Sequence, residues 1–393
     1  MRVGIVMLGL GYVLSQFYRA FLAVLAPVLG ADIGVTPAEL ADASGLWFLV
    51  FALMQIPVGL ALDAGGPRRT TALLLGVCGG GGAALFALAQ GPGLISVAMV
   101  LIGIGCSPVL MAAFYIFARL FTPAVFGTLA GLMIGIGSLG NLGAALPMSL
   151  AVEAFGWRET VAGLAVLTLL AAAGIWRWVQ DPPRVVPQAG DGSFLDVLRA
   201  PALWAIFVML FVGYVPAAGI RGLWAGPYFA QVFGSDAAQI GIITLIMGMA
   251  MVVGNIAYGP LDRVFGTRKW VVLVGNLLGT GCLVALWWQP APGLWTACAL
   301  IAAVGLLGVS FPLLMAHGRA FFPPHLVGRG VTLLNLFGIG GVGVFQMLSG
   351  RVHTAALSDA ATPAAAFGTL FGFFALVLAA GCLVYAFSRD RLD

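Results

Sequence analysis

The chain has 393 residues, 61% of them hydrophobic and only 8% charged, with a mean hydropathy of +1.08. That composition excludes an ordinary soluble globular protein, in which about a quarter of residues are charged, and points to an all-α integral membrane protein. The formal net charge of +4 calls for no nucleic-acid partner, because the basic residues cluster between apolar stretches.

A hydrocarbon core of ~30 Å takes about 20 apolar residues per helix, and twelve stretches meet that length. In chain order they are Val3 to Leu29, Ser44 to Leu62, Thr70 to Ala89, Leu94 to Ala118, Gly127 to Val152 and Thr160 to Val179. Then follow Ala202 to Val232, Gln239 to Gly259, Trp270 to Trp288, Leu294 to His317, Gly328 to Val352 and Ala364 to Phe387. The first is too long for a secretory signal, holds Arg19 at its centre, and precedes eleven more, so it is read as retained. With a cytoplasmic N-terminus, fourteen Lys and Arg fall in inside loops and termini, and only Arg158 and Arg351 outside. The positive-inside rule then puts both termini in the cytoplasm of a multi-pass protein of the cytoplasmic membrane. The five cysteines all lie in apolar stretches without C-x-x-C spacing and read as free thiols, with no metal site and no cofactor.

The second half repeats the first. "PVLGADIGVTPAEL" from Pro27 and "PYFAQVFGSDAAQI" from Pro227 align, sharing the proline and the pair Gly34 and Gly234. "GLALDAGGPRR", Gly59 to Arg69, likewise matches "GPLDRVFGTRK", Gly259 to Lys269. Two six-span bundles are expected at 1–180 and 202–393, joined by the polar linker 181–201, in which "SFLDVL" reads as a short interfacial helix capped by Ser193.

The loop residues Gly59, Asp63, Gly66, Arg68 and Arg69, with Gly259, Asp262, Arg263, Gly266, Arg268 and Lys269 in the second copy, resemble the G-x-x-x-D-x-x-G-x-R-R motif of the major facilitator superfamily. The resemblance spans essentially the whole chain and implies a transporter of two pseudo-symmetric bundles, not an enzyme. It also implies a cytoplasmic charge latch in which Asp63 and Asp262, near helix ends, and the arginines Arg68, Arg69, Arg263 and Arg268 hold the two bundles together in one state. At Ala64 the sequence lacks the basic residue usual in that motif.

Arg19 stands ten residues before Leu29, ~15 Å from the end of its stretch and near the bilayer centre. A charge at that depth costs at least ~2.5 kcal/mol and needs a partner, yet the fourteen acids all fall in loops, helix ends or termini. An arginine without a resident counter-ion is read as a site for an anionic substrate. Tyr12, Gln16 and Arg19 share one helical face; so, by spacing, do Tyr214, Arg221, Trp224 and Tyr228 on the pseudo-equivalent seventh stretch. Arg221 is the expected helper, and aromatic surface is expected to pack on the organic part of the substrate. The alternative, that an arginine bonds backbone carbonyls and only fixes packing, stands beside this.

Arg19 eight residues before Pro27 resembles the pattern of organophosphate:phosphate antiporters and organic anion:cation symporters. Departures are Gly219 where the antiporters have a second arginine, and Tyr18 and Cys106 where the symporters have carboxylates. The resemblance also implies that spans one, four, seven and ten line the cavity, which adds Tyr115. Without a membrane carboxylate, exchange or facilitated diffusion is expected over proton symport. The chain is expected to act as a monomer, with a small organic anion and membrane lipid as partners. A second reading is a copper or cationic-drug porter using Met247 and Met251. His317, Arg319, His325 and Arg329 read as a solvated cytoplasmic cluster, and the glycines of spans five and eleven as surfaces on which the bundles approach.

Overall fold

A computed structural model of the chain describes residues 2–121, 123–183, 199–322 and 327–392, with the side chains at 2, 123–128 and 327–329 excepted. Every regular element among the described residues is helical. Nine helices are long and apolar enough to cross a membrane, and three bent pairs bring the number to twelve when each pair is one span. The expected helix at 193–198, and His325, lie outside the described residues.

The bends of spans two and five follow proline, which removes an amide and crowds the carbonyl four residues earlier. Span two is Pro37–Leu53 and Gln55–Gly65, bent by 45° before Pro57. Span five, ending in Leu146–Phe155, is bent by 42° at the residues before Pro147. Span one, Arg2–Tyr18 and Leu22–Ile33, turns by 53° at residues 19–21, upstream of Pro27. Arg19 therefore sits in a break. Span seven divides at Tyr214 into Pro201–Gly213 and Val215–Gly219, then continues through a π-turn, Ile220–Trp224, into Ala225–Phe233.

The chain forms two compact units, Met1–Val186 with Ala237–Ile242, and Pro187–Asp236 with Ile243–Asp393. Matched details inside each unit bear the repeat. Span one ends on Gly34 at φ 67°, ψ 21°, and span seven on Gly234 at φ 68°, ψ 24°, both in the left-handed region that favours glycine. In the first unit, a Cβ on Gly103 of span four would stand 2.8 Å from the Trp47 carbonyl of span two. In the second, one on Gly305 of span ten would stand 3.1 Å from Met247 and from Met251 of span eight. Small residues let these backbones approach where no water separates them.

Glycines of spans five and eleven do the same work within a unit. Gly140 is seated on the Val13 carbonyl of span one, Gly341 on the Phe211 carbonyl of span seven, and Gly137 under the Tyr12 ring. Gly131 and Gly135 face open space. The expectation of an inter-bundle role is thus corrected for the seated glycines: their contacts join helices of one unit.

Candidate functional site

At the break in span one, Arg19 is half-buried, and its guanidinium carbon lies 5.3 Å from the Trp47 ring centroid and 4.7 Å from that of Phe51. Those two rings, one helical turn apart on span two, are stacked at 5.0 Å and 15°. They form a platform for the flat cation, which a membrane interior favours over bare hydrocarbon. Among the described residues Arg19 makes no ion pair, and its Nε is buried without a hydrogen-bond partner. Gln16, three residues earlier, has its Oε1 buried and unpartnered as well, while the ring of Tyr12 is packed on Gly137. Trp47 and Phe51 escape the sequence reading, because aromatic residues in an apolar stretch look like ordinary packing.

Span seven departs from its expected helical face. The π-turn carries Arg221, only 4% exposed, and inserts an extra residue into the turn, so a 3.6-residue spacing no longer aligns Tyr214 with Trp224 and Tyr228. Trp224 is fully buried, donates its indole N–H to Ser349 Oγ at 2.8 Å, and lies 4.8 Å from the His353 ring. Tyr228, equally buried, donates its hydroxyl to the Pro290 carbonyl at 2.7 Å among Phe229, Phe233, Phe367 and Phe371. Both polar tips are engaged inside the second unit. Tyr115 of span four lies under Arg119, 4.2 Å from ring to guanidinium.

Of the latch residues, Asp262 meets Arg268 as the motif implies, whereas Asp63 and Arg68 find other partners. Asp63 meets Arg119 of span four at 3.6 Å, not Arg68 or Arg69. Arg68 lies 3.9 Å from Asp181, whose carboxylate also accepts the Arg68 backbone N–H at 2.7 Å. Arg69 and Arg263 are exposed. In the second unit Arg268 Nε donates to Asp262 at 3.1 Å, and its Nη1 reaches the carbonyls of Ala316 and Arg391 at 3.4 Å. Each of these ion pairs joins residues of one unit. Asp390 accepts the backbone N–H groups of Arg268 at 3.2 Å and Lys269 at 3.0 Å and bonds the Thr267 hydroxyl. Asp181 and Asp390 are thus equivalent caps, each closing the loop between the second and third spans of its own unit from the segment after the sixth. Neither is legible in sequence, because each cap meets amides more than a hundred residues away.

Burial alone would raise the Asp390 carboxyl, but the Thr267 hydroxyl, the two amides and nearby His317 hold it below its ordinary value. A carboxylate lowered in the folded state stabilises above its unfolded value, and that contribution fades as pH falls through the lowered one. Asp390→Ala is expected to lower stability by about 0.5 to 2 kcal/mol, as for a lost helix cap. The difference from wild type should persist at neutral pH and close only below the ordinary carboxylate range, as followed by thermal unfolding in detergent.

His317 is wholly buried, with Nε2 2.9 Å from the Arg389 carbonyl and Nδ1 2.8 Å from the Tyr385 hydroxyl. This corrects its assignment to a solvated cluster: a carbonyl only accepts, so Nε2 carries the proton and, in the neutral ring, Nδ1 accepts a hydrogen bond donated by the Tyr385 hydroxyl. Met247 and Met251 are buried against Gly305, whereas Met249 is 46% exposed.

A family model described as Major Facilitator Superfamily matches residues 8–225. An uncharacterized transporter of Bacillus subtilis is 22% identical over 331 residues, covering 76% of this chain and 74% of that one. A probable sulfoacetate transporter of Cupriavidus necator is 26% identical over 319 residues, with the same shares covered. A sialic acid transporter of Escherichia coli is 23% identical over 351 residues, covering 85% and 83%. The solved structure of a bacterial homolog to the human lysosomal transporter Spinster superposes with a TM-score of 0.77 at 18% identity, over 98% of this chain and 96% of that one.

Proposed function

The chain belongs to the major facilitator superfamily, and on that premise we propose that it is a secondary transporter carrying a small organic anion across the cytoplasmic membrane by alternating access. One observation carries the anion: Arg19, in the break of span one, rests on the Trp47 and Phe51 rings and has no carboxylate or hydrogen-bond acceptor among the described residues. A guanidinium inside the hydrocarbon region requires an interior partner, and a mobile anion supplies one. The relatives named for sulfoacetate and sialic acid support this reading, since both compounds are organic anions.

In this proposal Arg19 is the primary clamp, with Gln16 beside it and Arg221 as helper. The halves 1–180 and 202–393 move as bodies joined by the linker 181–201, both termini lie in the cytoplasm, and the chain acts as a monomer. Asp63, Arg119, Arg68 and Asp181 steady the cytoplasmic end of the first half; Asp262, Arg268 and Asp390 steady that of the second. Exchange or facilitated diffusion is the favoured mode, because the acids cluster at helix ends and in loops.

Counterflow in proteoliposomes with labelled sulfoacetate and sialic acid tests this. Arg19→Gln is expected to lower uptake by about 10- to 100-fold, the worth of a charge-assisted hydrogen bond of ~1.5 to 3 kcal/mol. Unchanged uptake would discard the clamp.

A further inference from the structure

Trp47 is 0% exposed, and its indole nitrogen has no hydrogen-bond partner. A buried tryptophan ordinarily finds an acceptor for that N–H, and inside a membrane no water is at hand to replace one. Packing explains the ring but not the stranded N–H. The contrast within the chain is direct: Trp224, equally buried, gives its N–H to Ser349, and Trp157 gives its own to Asp32 at 2.9 Å. The unsatisfied indole is also the one whose ring carries the Arg19 guanidinium, and the Arg19 Nε is the second stranded donor there.

Both atoms only donate, so two donors, one on the ring and one on the cation over it, are left without an acceptor. From this we propose that Trp47 binds the substrate directly: one oxygen of the anion accepts the indole N–H while another takes the guanidinium. The inference rests on the anion reading of Arg19 and deepens it, since it names the substrate's binding end as an oxyanion with at least two accepting oxygens, a carboxylate or a sulfonate. Phe51 has no polar atom and serves as the second plate of the platform. Both donors are covered in this structure, so the anion reaches them by displacing the side chains packed over them, and its arrival satisfies both together.

Trp47→Phe keeps an aromatic ring on the platform and removes the indole N–H along with part of the ring's volume, so the affinity is read together with the N–H signal of the wild-type protein. Binding of sulfoacetate and sialic acid to the purified full chain in detergent is measured by titration, alongside Arg19→Gln. The expected result is an affinity loss of about tenfold or more for Trp47→Phe, the usual effect of removing a donor to a charged group. A purely structural role would not produce the second readout. The chain has 10 tryptophans, and in the protein labelled with nitrogen-15 at its indoles, the resonance missing from Trp47→Phe identifies Trp47. That signal is expected to move downfield when the bound anion accepts the N–H. Should Trp47→Phe fail to fold, Trp47→Tyr supplies the assignment and the wild-type titration decides.

An anion that needs Arg19 but leaves both the Trp47 signal and the Trp47→Phe affinity unchanged overturns this inference and leaves the anion reading standing. Binding that survives Arg19→Gln, or no binding of either anion to wild type, overturns both.

Discussion

Arg19→Lys is expected to lose almost as much anion transport as Arg19→Gln, about 10- to 100-fold, although the formal charge is kept. The reason lies in the platform. The guanidinium carbon stands 4.7 Å from the Phe51 centroid and 5.3 Å from that of Trp47, a contact that suits a flat, weakly hydrated cation. An ammonium is compact and strongly hydrated, cannot present a two-pronged edge to a carboxylate, and costs more to strip of water at this depth. Lysine would also be free to reach away from the break in span one, because nothing but the two rings holds a cation there. The measurement is counterflow at saturating and at limiting substrate. A lysine variant with near wild-type uptake at limiting substrate would mean that a point charge suffices and that the aromatic platform has no part in recognition.

How much of this was legible depends on whether one residue or a distant pair carries the signal. Arg19 stood out because a single charge in an apolar stretch has a cost that any reader of the sequence can assign. The twelve spans and the repeat were legible too, since Gly34 and Gly234 mark the same left-handed cap in both halves. The platform was not, because Trp47 and Phe51 have the spacing of any packed helix face. Span seven is hard to read for another reason: a π-turn leaves no mark in composition, and its inserted residue breaks the spacing that would align Tyr214 with Trp224 and Tyr228, the latter two of which pack inside the second unit. The caps at Asp181 and Asp390 were hidden by distance along the chain, and a polar tail after a last span looks solvated until its amide partners are placed beside it. Distance hides the partner of Asp63 in the same way, since it meets Arg119 across two spans, whereas Asp262 and Arg268, six residues apart, pair as the motif implies.

The other large effect is expected at a residue with no side chain. Gly140→Ala would drive a methyl group into the Val13 carbonyl and bring it 2.9 Å from the Phe17 amide nitrogen. Both neighbours are backbone of span one, so no rotamer change relieves the overlap, and spans one and five must separate. Overpacking of this kind costs about 1 to 3 kcal/mol where side chains can adjust, and here they cannot, so the upper end or beyond is expected. At about 2 to 4 °C per kcal/mol for a domain of this size, the apparent Tm in detergent should fall by roughly 5 to 10 °C. Gly341→Ala is the matched case in the second unit, against the Phe211 carbonyl of span seven. Gly131→Ala and Gly135→Ala, on the same helix as Gly140 but facing open space, provide the control and are expected to be neutral or slightly stabilising. The displacement also has a functional consequence. Val13 lies six residues before Arg19 on the helix leading into the break, so pushing span one outward moves the guanidinium relative to Trp47 and Phe51. Gly140→Ala should therefore weaken anion binding at temperatures where the protein is still folded, whereas Gly341→Ala should cost stability with much less effect on Arg19. Equal stability for Gly140→Ala and Gly131→Ala would refute the close packing of spans one and five on which the placement of Arg19 depends.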